Sequence, residues 1–233
     1  NGIFIVFWYQ YQKINTISKN ILDEIEYRIE YYKYKKHINQ NYNFDKTKNK
    51  IKNKKITIPC MLFISNLYLS REYVFKLYQI KKYNWIKEKD LNLLMNNFNN
   101  LNLSNDLLFE ENVYLKYEFK TNDKNYNIEL SGDIDIIDKK NKNIYEIKCV
   151  EQLTDEHYLQ ILIYAFLYEK NNGNNYSYFL YNVKTDELIE IILDMKEYEI
   201  IIQSLIIEKQ NSKKFINDED FIKNNEINFK NFC

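Results

Sequence analysis

Between Leu130 and Tyr164 the chain reads LSGDIDIIDKKNKNIYEIKCVEQLTDEHYLQILIY, and no other stretch constrains its fold as tightly. Two alternating segments, Ser131–Asp138 and Asn143–Val150, flank a turn rich in lysine and asparagine. Alternating apolar residues bounded by turn formers predict a β-hairpin. Period two places Asp133, Asp135 and Ile137 on one face of the first strand, with Ile134 and Ile136 on the other. On the second strand Ile144, Glu146 and Lys148 share a face, opposite Tyr145, Ile147 and Cys149. With the turn centred between Lys140 and Asn141, Asp135 falls opposite Glu146 and Asp133 opposite Lys148. Cross-strand neighbours have Cβ atoms roughly 4.5–5.5 Å apart, so two carboxylates held there repel each other. A cation between them turns that cost into a site. Magnesium lies about 2.0–2.1 Å from its carboxylate oxygens and takes one or two of them from a protein, so Asp135 and Glu146 could share one ion. The bland alternative is that these charges form the wet face of an exposed hairpin.

The helical segment after the hairpin weighs against that alternative. Thr154 is a good N-cap, and Asp155 and Glu156 fall in the first turn, where the helix dipole favours acids. Leu159, Leu162, Ile163 and Phe166 form the expected apolar side of the helix. Gln160 and Tyr164 are one turn apart and share a face, with His157 one turn before Gln160.

The pattern Gly132-Asp133-Ile134-Asp135, then Glu146-Ile147-Lys148, then Gln160-Ile161-Leu162-Ile163-Tyr164 resembles the PD-(D/E)XK nuclease superfamily, and its RecB-type nucleases in particular. The resemblance covers only Leu130–Tyr164. It implies Asp135 and Glu146 as metal ligands, joined by the backbone carbonyl of Ile147, with magnesium as the ion and manganese as a substitute. It implies Lys148 as the group that positions or activates the attacking water, and Gln160 and Tyr164 as its orienting partners and substrate contacts. Asp133, on the same face, is an alternative ligand. Relatives also carry a His or acid on an upstream helix, for which Glu24 and His37 are candidates, and a glutamate in the preceding strand, for which Glu111 or Glu118 would serve. RecB-type nucleases are often fused to helicases, which makes a fused or associated helicase an implied partner beside nucleic acid, DNA first.

Composition bears on that expectation in a limited way. Lys and Arg number 33 against 33 Asp and Glu, so the chain lacks the global basic excess of many DNA-binding modules. An acidic active site tolerates such a balance, because its basic groups need only be local. The three cysteines, Cys60, Cys149 and Cys233, form no C-x-x-C pair. Neither zinc, a disulfide framework nor the four-cysteine iron–sulfur cluster of some RecB-type nucleases is expected, and a reducing intracellular compartment is. No run of eighteen apolar residues predicts a membrane span. The first residue is Asn, which suits a piece of a longer protein.

Along the rest of the chain, Gly2–Tyr11 is β-prone and aromatic and fits either a strand or the end of a buried helix. Ile17–His37 has helical spacing through Ile21, Ile25, Ile29 and Tyr32. Asn39–Lys55, with Lys46, Lys48, Lys50, Lys52, Lys54 and Lys55, reads as a linker, or as a phosphate-binding segment. Met61–Ile80 and Lys87–Leu101 read as helices, separated by Tyr83-Asn84-Trp85. Arg71, Lys76, Lys81 and Lys82, interleaved with Tyr73, Tyr78 and Trp85, have the composition of a surface that stacks bases and pairs phosphates, and equally that of any chain rich in Tyr and Lys. Asp106–Lys120 is expected as the strand before the hairpin. Gly132 in the next strand predicts a bulge or a close backbone approach, as beside a bound phosphate. A second hairpin, Tyr176–Val183 with Leu188–Leu193, precedes a helix over Lys196–Lys209 that uses Ile200, Ile201, Leu205 and Ile206.

The expected fold is α/β, a central mixed β-sheet flanked by helices (a restriction-endonuclease-like core) with a helical N-terminal part. The expected division is 1–55 as helical segment and linker, 56–210 as nuclease core and 211–233 as a peripheral tail. The expected activity is metal-dependent hydrolysis of DNA phosphodiesters by Asp135, Glu146, Lys148, Gln160 and Tyr164, in a chain with no membrane partner. The alternative is a catalytically inactive nucleic-acid-binding or structural domain of the same fold.

Overall fold

A computed structural model describes residues 2–34, 49, 51, 55–70, 77, 79–80, 82–122, 124–173, 176–192 and 194–211. Among the described residues the sheet is preceded by helices α1 (Gly2–Ile14), α2 (Lys19–Tyr34), α3 (Ile58–Ser70) and α4 (Glu88–Asn99). Strands β1 (Leu107–Lys120), β2 (Asn125–Asp138) and β3 (Asn143–Lys148) come next, then α5 (Asp155–Asn172), β4 (Ser177–Asn182), β5 (Glu187–Ile191) and α6 (Met195–Asn211). The five strands lie side by side in chain order, so each is hydrogen-bonded to its sequence neighbour. β2 and β3 pair antiparallel, as do β4 and β5, whereas β3 and β4 are parallel. Parallel neighbours need a long crossover, and α5 supplies it. The sheet is therefore mixed, with β3 at its centre.

Gly2–Tyr11 is helix rather than strand. Phe4, Ile5, Val6, Phe7 and Tyr9 are all buried, which a half-exposed strand would not permit, and the run forms the core of α1. α2 buries Ile21, Ile25, Ile29 and Tyr32 at the expected helical spacing. α1 packs against α3, α4 and β3, and α3 also against α2. One continuous core joins this helical layer to Ile136, Tyr145, Ile147 and Tyr181 of the sheet and to Val183 directly after β4. α5 packs on β3 and β4.

The expected apolar sides of two helices are turned. α5 buries Ile161, Ala165, Phe166 and Leu167, while Leu159, Leu162 and Ile163 are only half-buried. α6 buries Tyr198, Ile202 and Ile206, while Ile200 is 65% exposed. Apolar residues are spread over more than one side of both helices, so periodicity alone does not choose the stripe that faces inward.

The chain divides into two compact units, Asn1–Glu118 with Tyr126–Ile192, and Phe119–Asn125 with Leu193–Cys233. Helices α1 and α2 thus belong to the same unit as the centre of the sheet. Within the smaller unit, Lys124 Nζ donates to Gln210 Oε1 at 2.8 Å. No helix among the described residues is long and apolar enough to cross a membrane. His37, Arg71, Tyr73, Lys76, Tyr78, Lys81, Cys233 and the linker lysines 46, 48, 50, 52 and 54 lie outside the described residues.

Candidate functional site

The turn between β2 and β3 sets the register. Asp138, fully buried, accepts from Ser104 N at 2.9 Å, Ser104 Oγ at 2.6 Å, Asn141 N at 3.1 Å and Asn141 Nδ2 at 3.0 Å. Burial alone would raise its carboxyl, but these donors hold it below the ordinary value. The pairs Asp138↔Asn143, Ile137↔Ile144 and Ile136↔Tyr145 are centred between Lys140 and Asn141, as the spacing predicts. Backbone pairing ends there, one step before Asp135 and Glu146. The Asp135 carboxylate takes over, accepting the Ile147 amide on Oδ2 at 2.6 Å.

Beyond that point the face bearing Glu146 and Lys148 opens into a cleft of about 960 Å³. Asp133, Asp135, Glu146, Ile147, Lys148, Gln160 and Tyr164 all line it. Lys148 Nζ donates to Glu146 Oε1 at 2.5 Å and to Gln160 Oε1 at 2.6 Å. Gln160 Nε2 in turn donates to Tyr164 Oη at 2.9 Å. Helix α5 thus braces the lysine through a chain of two side chains one turn apart. Its start is fixed by His157, whose Nδ1 accepts from Thr154 N at 3.0 Å. The residues after β3 are held by Asn182, which accepts from Val150 N at 3.2 Å and donates to Val150 O at 3.0 Å.

Gly132 does mark a close approach, but to a side chain of this protein. A Cβ there would stand 2.3 Å from Tyr164 Cε1. A similar need acts at Gly2, where a Cβ would stand 2.6 Å from the Ile147 carbonyl oxygen. The carbonyl expected to join the ligand set therefore lies against the first turn of α1.

The acid contributed by β1 is Glu110, a residue the sequence did not single out. Its φ of 50° lies in the left-handed region, where side chains other than glycine are uncommon. The strand's alternation breaks at this point, with Phe109 and Glu110 buried in succession. Asn20 of α2 holds the kink, donating through Nδ2 to the carbonyls of Phe109 and Glu110, each at 3.2 Å. Glu111 also lines the cleft, whereas Glu118 is exposed and accepts from Asn127 at 2.6 Å. Glu24 lines the cleft too, paired with Arg28 of the same helix at 2.6 Å. Arg28 also donates to the carbonyls of Leu67 and Tyr68. Lys82 and Trp85, the described members of the basic and aromatic segment, do not line the cleft.

Glu110, Asp135 and Glu146 crowd their charges in a poorly solvated place. Burial, then the charges of Asp135 and Asp133, push Glu110 well above the usual carboxylate range. Burial and Asp135 do the same to Glu146, against the pull of Lys148. Asp135 is raised by burial, and opposed by Lys148 and the Ile147 amide. Glu110 Oε1 and Glu146 Oε2 are buried without a hydrogen-bond partner. Buried anionic oxygens in that condition are costly unless protonated or met by a cation. The donor set, hard carboxylate oxygens near a backbone carbonyl, suits magnesium or manganese. Among the described residues no three His, Cys, Asp or Glu side chains converge on a common metal position. The fit therefore rests on two carboxylates and a carbonyl, with Glu110 beside them.

No protein-family model, curated protein or solved structure matches the chain.

Proposed function

We propose that this protein hydrolyses phosphodiester bonds of nucleic acid, DNA in the first instance, with a magnesium ion held by Asp135, Glu146 and the Ile147 carbonyl. One observation carries the reading: buried carboxylates with unpartnered oxygens share a cleft with a lysine that a helix holds in place. A bound magnesium would polarise the scissile phosphate and lower the pKa of its water. Lys148, adjacent to Glu146 on the same face, meets the charge that grows on the phosphate. Gln160 keeps the ammonium directed into the cleft, and Tyr164 keeps Gln160 from rotating away. Glu110, whose carboxyl is pushed up by burial and by the charge of Asp135, lies next to the site.

The test is incubation of the full chain with end-labelled single- and double-stranded DNA, with and without magnesium, using Lys148→Ala as the control. The expected result is metal-dependent cleavage that Lys148→Ala reduces about 10²–10³-fold with the fold intact, the usual cost of removing a group that stabilises transition-state charge. Cleavage at the unsubstituted rate would sink the assignment of Lys148. A second reading, an inactive binding domain, is favoured by the 2.5 Å pair of Lys148 with Glu146, which balances one carboxylate without an ion. Absence of metal-dependent product on every substrate would favour that reading.

A further inference from the structure

A second cavity, of about 570 Å³, lies among the C-terminal end of α1, the start of α2 and the beginning of β1. That size is within the roughly 300–1,000 Å³ of small-molecule sites. Leu107, Leu108 and Phe109 give it an apolar wall. Gln10, only 1% exposed, lines it with an unusual requirement. Its Oε1 accepts the Ser18 amide at 3.0 Å, which fixes the orientation of the side chain, yet Nε2 is buried with no partner. Ser18 Oγ, lining the same cavity, is likewise unpartnered. A buried amide N–H without an acceptor costs free energy that a ligand acceptor would recover. Lys13 and Lys19 also line the cavity, are exposed, and form no ion pair among the described residues.

We infer that this cavity binds a nucleotide, its base against the Leu107–Phe109 wall with an edge acceptor on Gln10 Nε2, and its phosphate at Lys13 and Lys19. A planar heteroaromatic ring with acceptors on its edge and an anionic group at one end satisfies all three features, which a plain fatty or aliphatic acid does not. The cavity adjoins the carboxylate cleft: Asn20 and Glu111 line both, and the kink at Glu110 comes directly after Phe109. A nucleotide held here is therefore either a neighbouring unit of the strand in the cleft or a free mononucleotide. The choice of nucleotide over other aromatic anions rests on the proposed function, but binding can be measured without cleavage.

The experiment is titration of the full chain, without metal, with each of the four deoxynucleoside monophosphates by calorimetry. Leu108→Trp fills the cavity, the double variant Lys13→Glu/Lys19→Glu reverses its rim, and Lys148→Ala alters only the cleft. The expected result is binding that Leu108→Trp removes, that the double variant weakens about tenfold or more through lost charge-assisted contacts, and that Lys148→Ala leaves intact. Should Leu108→Trp fail to fold by circular dichroism, the surface double variant decides alone. Competition by a decathymidylate would identify the strand as the source, and its absence a free mononucleotide. The inference is overturned if no monophosphate binds, or if Lys148→Ala abolishes binding that the cavity variants leave unchanged. Binding here without any metal-dependent cleavage would remove the proposed activity and leave this site standing.

Discussion

Gly132 and Tyr164 touch so closely that a single added methyl group would stand 2.3 Å from the tyrosine ring. The tyrosine hydroxyl is also the last link of the chain that braces Lys148 through Gln160. A residue of β2 without a side chain thus governs the placement of a cation on β3. Gly132→Ala should cost about 1–3 kcal/mol in urea unfolding, the usual range for overpacking, and should lower cleavage by displacing Tyr164. In combination with Tyr164→Ala the steric cost should vanish, giving a strongly non-additive double-mutant cycle. Additive effects of the two substitutions would show that the ring is not what Gly132 accommodates.

The three crowded acids make a prediction about pH. Glu110 and Glu146 keep protons in the folded chain that the unfolded chain releases around its ordinary value of 4.5. Folded protein therefore binds more protons than unfolded protein above that pH, and stability without metal should fall as pH rises from about 4.5 to the raised folded values. Glu110→Gln and Glu146→Gln, which cannot ionise, should each flatten the fall when thermal unfolding is followed from pH 4 to 8. A profile identical to that of the unsubstituted protein would mean that neither acid is crowded.

Magnesium should act in the opposite sense. An ion that binds only the folded chain stabilises it by about 2.7 kcal/mol at one hundred times its dissociation constant. The melting temperature should rise with magnesium, most strongly at neutral pH, where the competing protons are fewest. Asp135→Asn keeps an acceptor for the Ile147 amide while removing the charge, so it should abolish the rise without a large loss of basal stability. A magnesium-dependent rise that survives in both Asp135→Asn and Glu146→Gln would place the ion elsewhere.

Asn20 and Glu110 offer a test of the β1 kink. Removing both hydrogen bonds in Asn20→Ala should cost about 1–3 kcal/mol, and more if the kink straightens and carries Glu110 out of the cleft. Glu110→Gly removes the backbone strain and the buried acid together, and should stabilise the chain by about 1 kcal/mol or more relative to Glu110→Gln. Equal stability of the two variants would show that the left-handed conformation carries no cost.

The hairpin was legible from local rules. Alternation marked its strands, the Lys140–Asn141 turn fixed its register, and the spacing of Gln160 and Tyr164 put both on one helical face. These features depend on residues near one another in the chain, and their geometry is that of the peptide itself. The α/β class with a mixed sheet came from the same periodicity.

Other features are set by contacts that no local pattern encodes. Glu110 entered the cleft through a kink held by Asn20, 90 residues earlier in the chain, where the sequence had offered only Glu111 or Glu118. The run Gly2–Tyr11 carries strand propensity, yet became helix because burial around its whole circumference outweighs a preference of a few tenths of a kcal/mol per residue. Gly132 was recognisable as a close approach, but the identity of the approaching group depended on where α5 crossed the sheet. The sequence alone determined which side chains could meet across one hairpin and one helix turn. The tertiary structure decided which acid joined them and how deeply all were buried, because the free energy of a buried charge depends on every group that replaces its water.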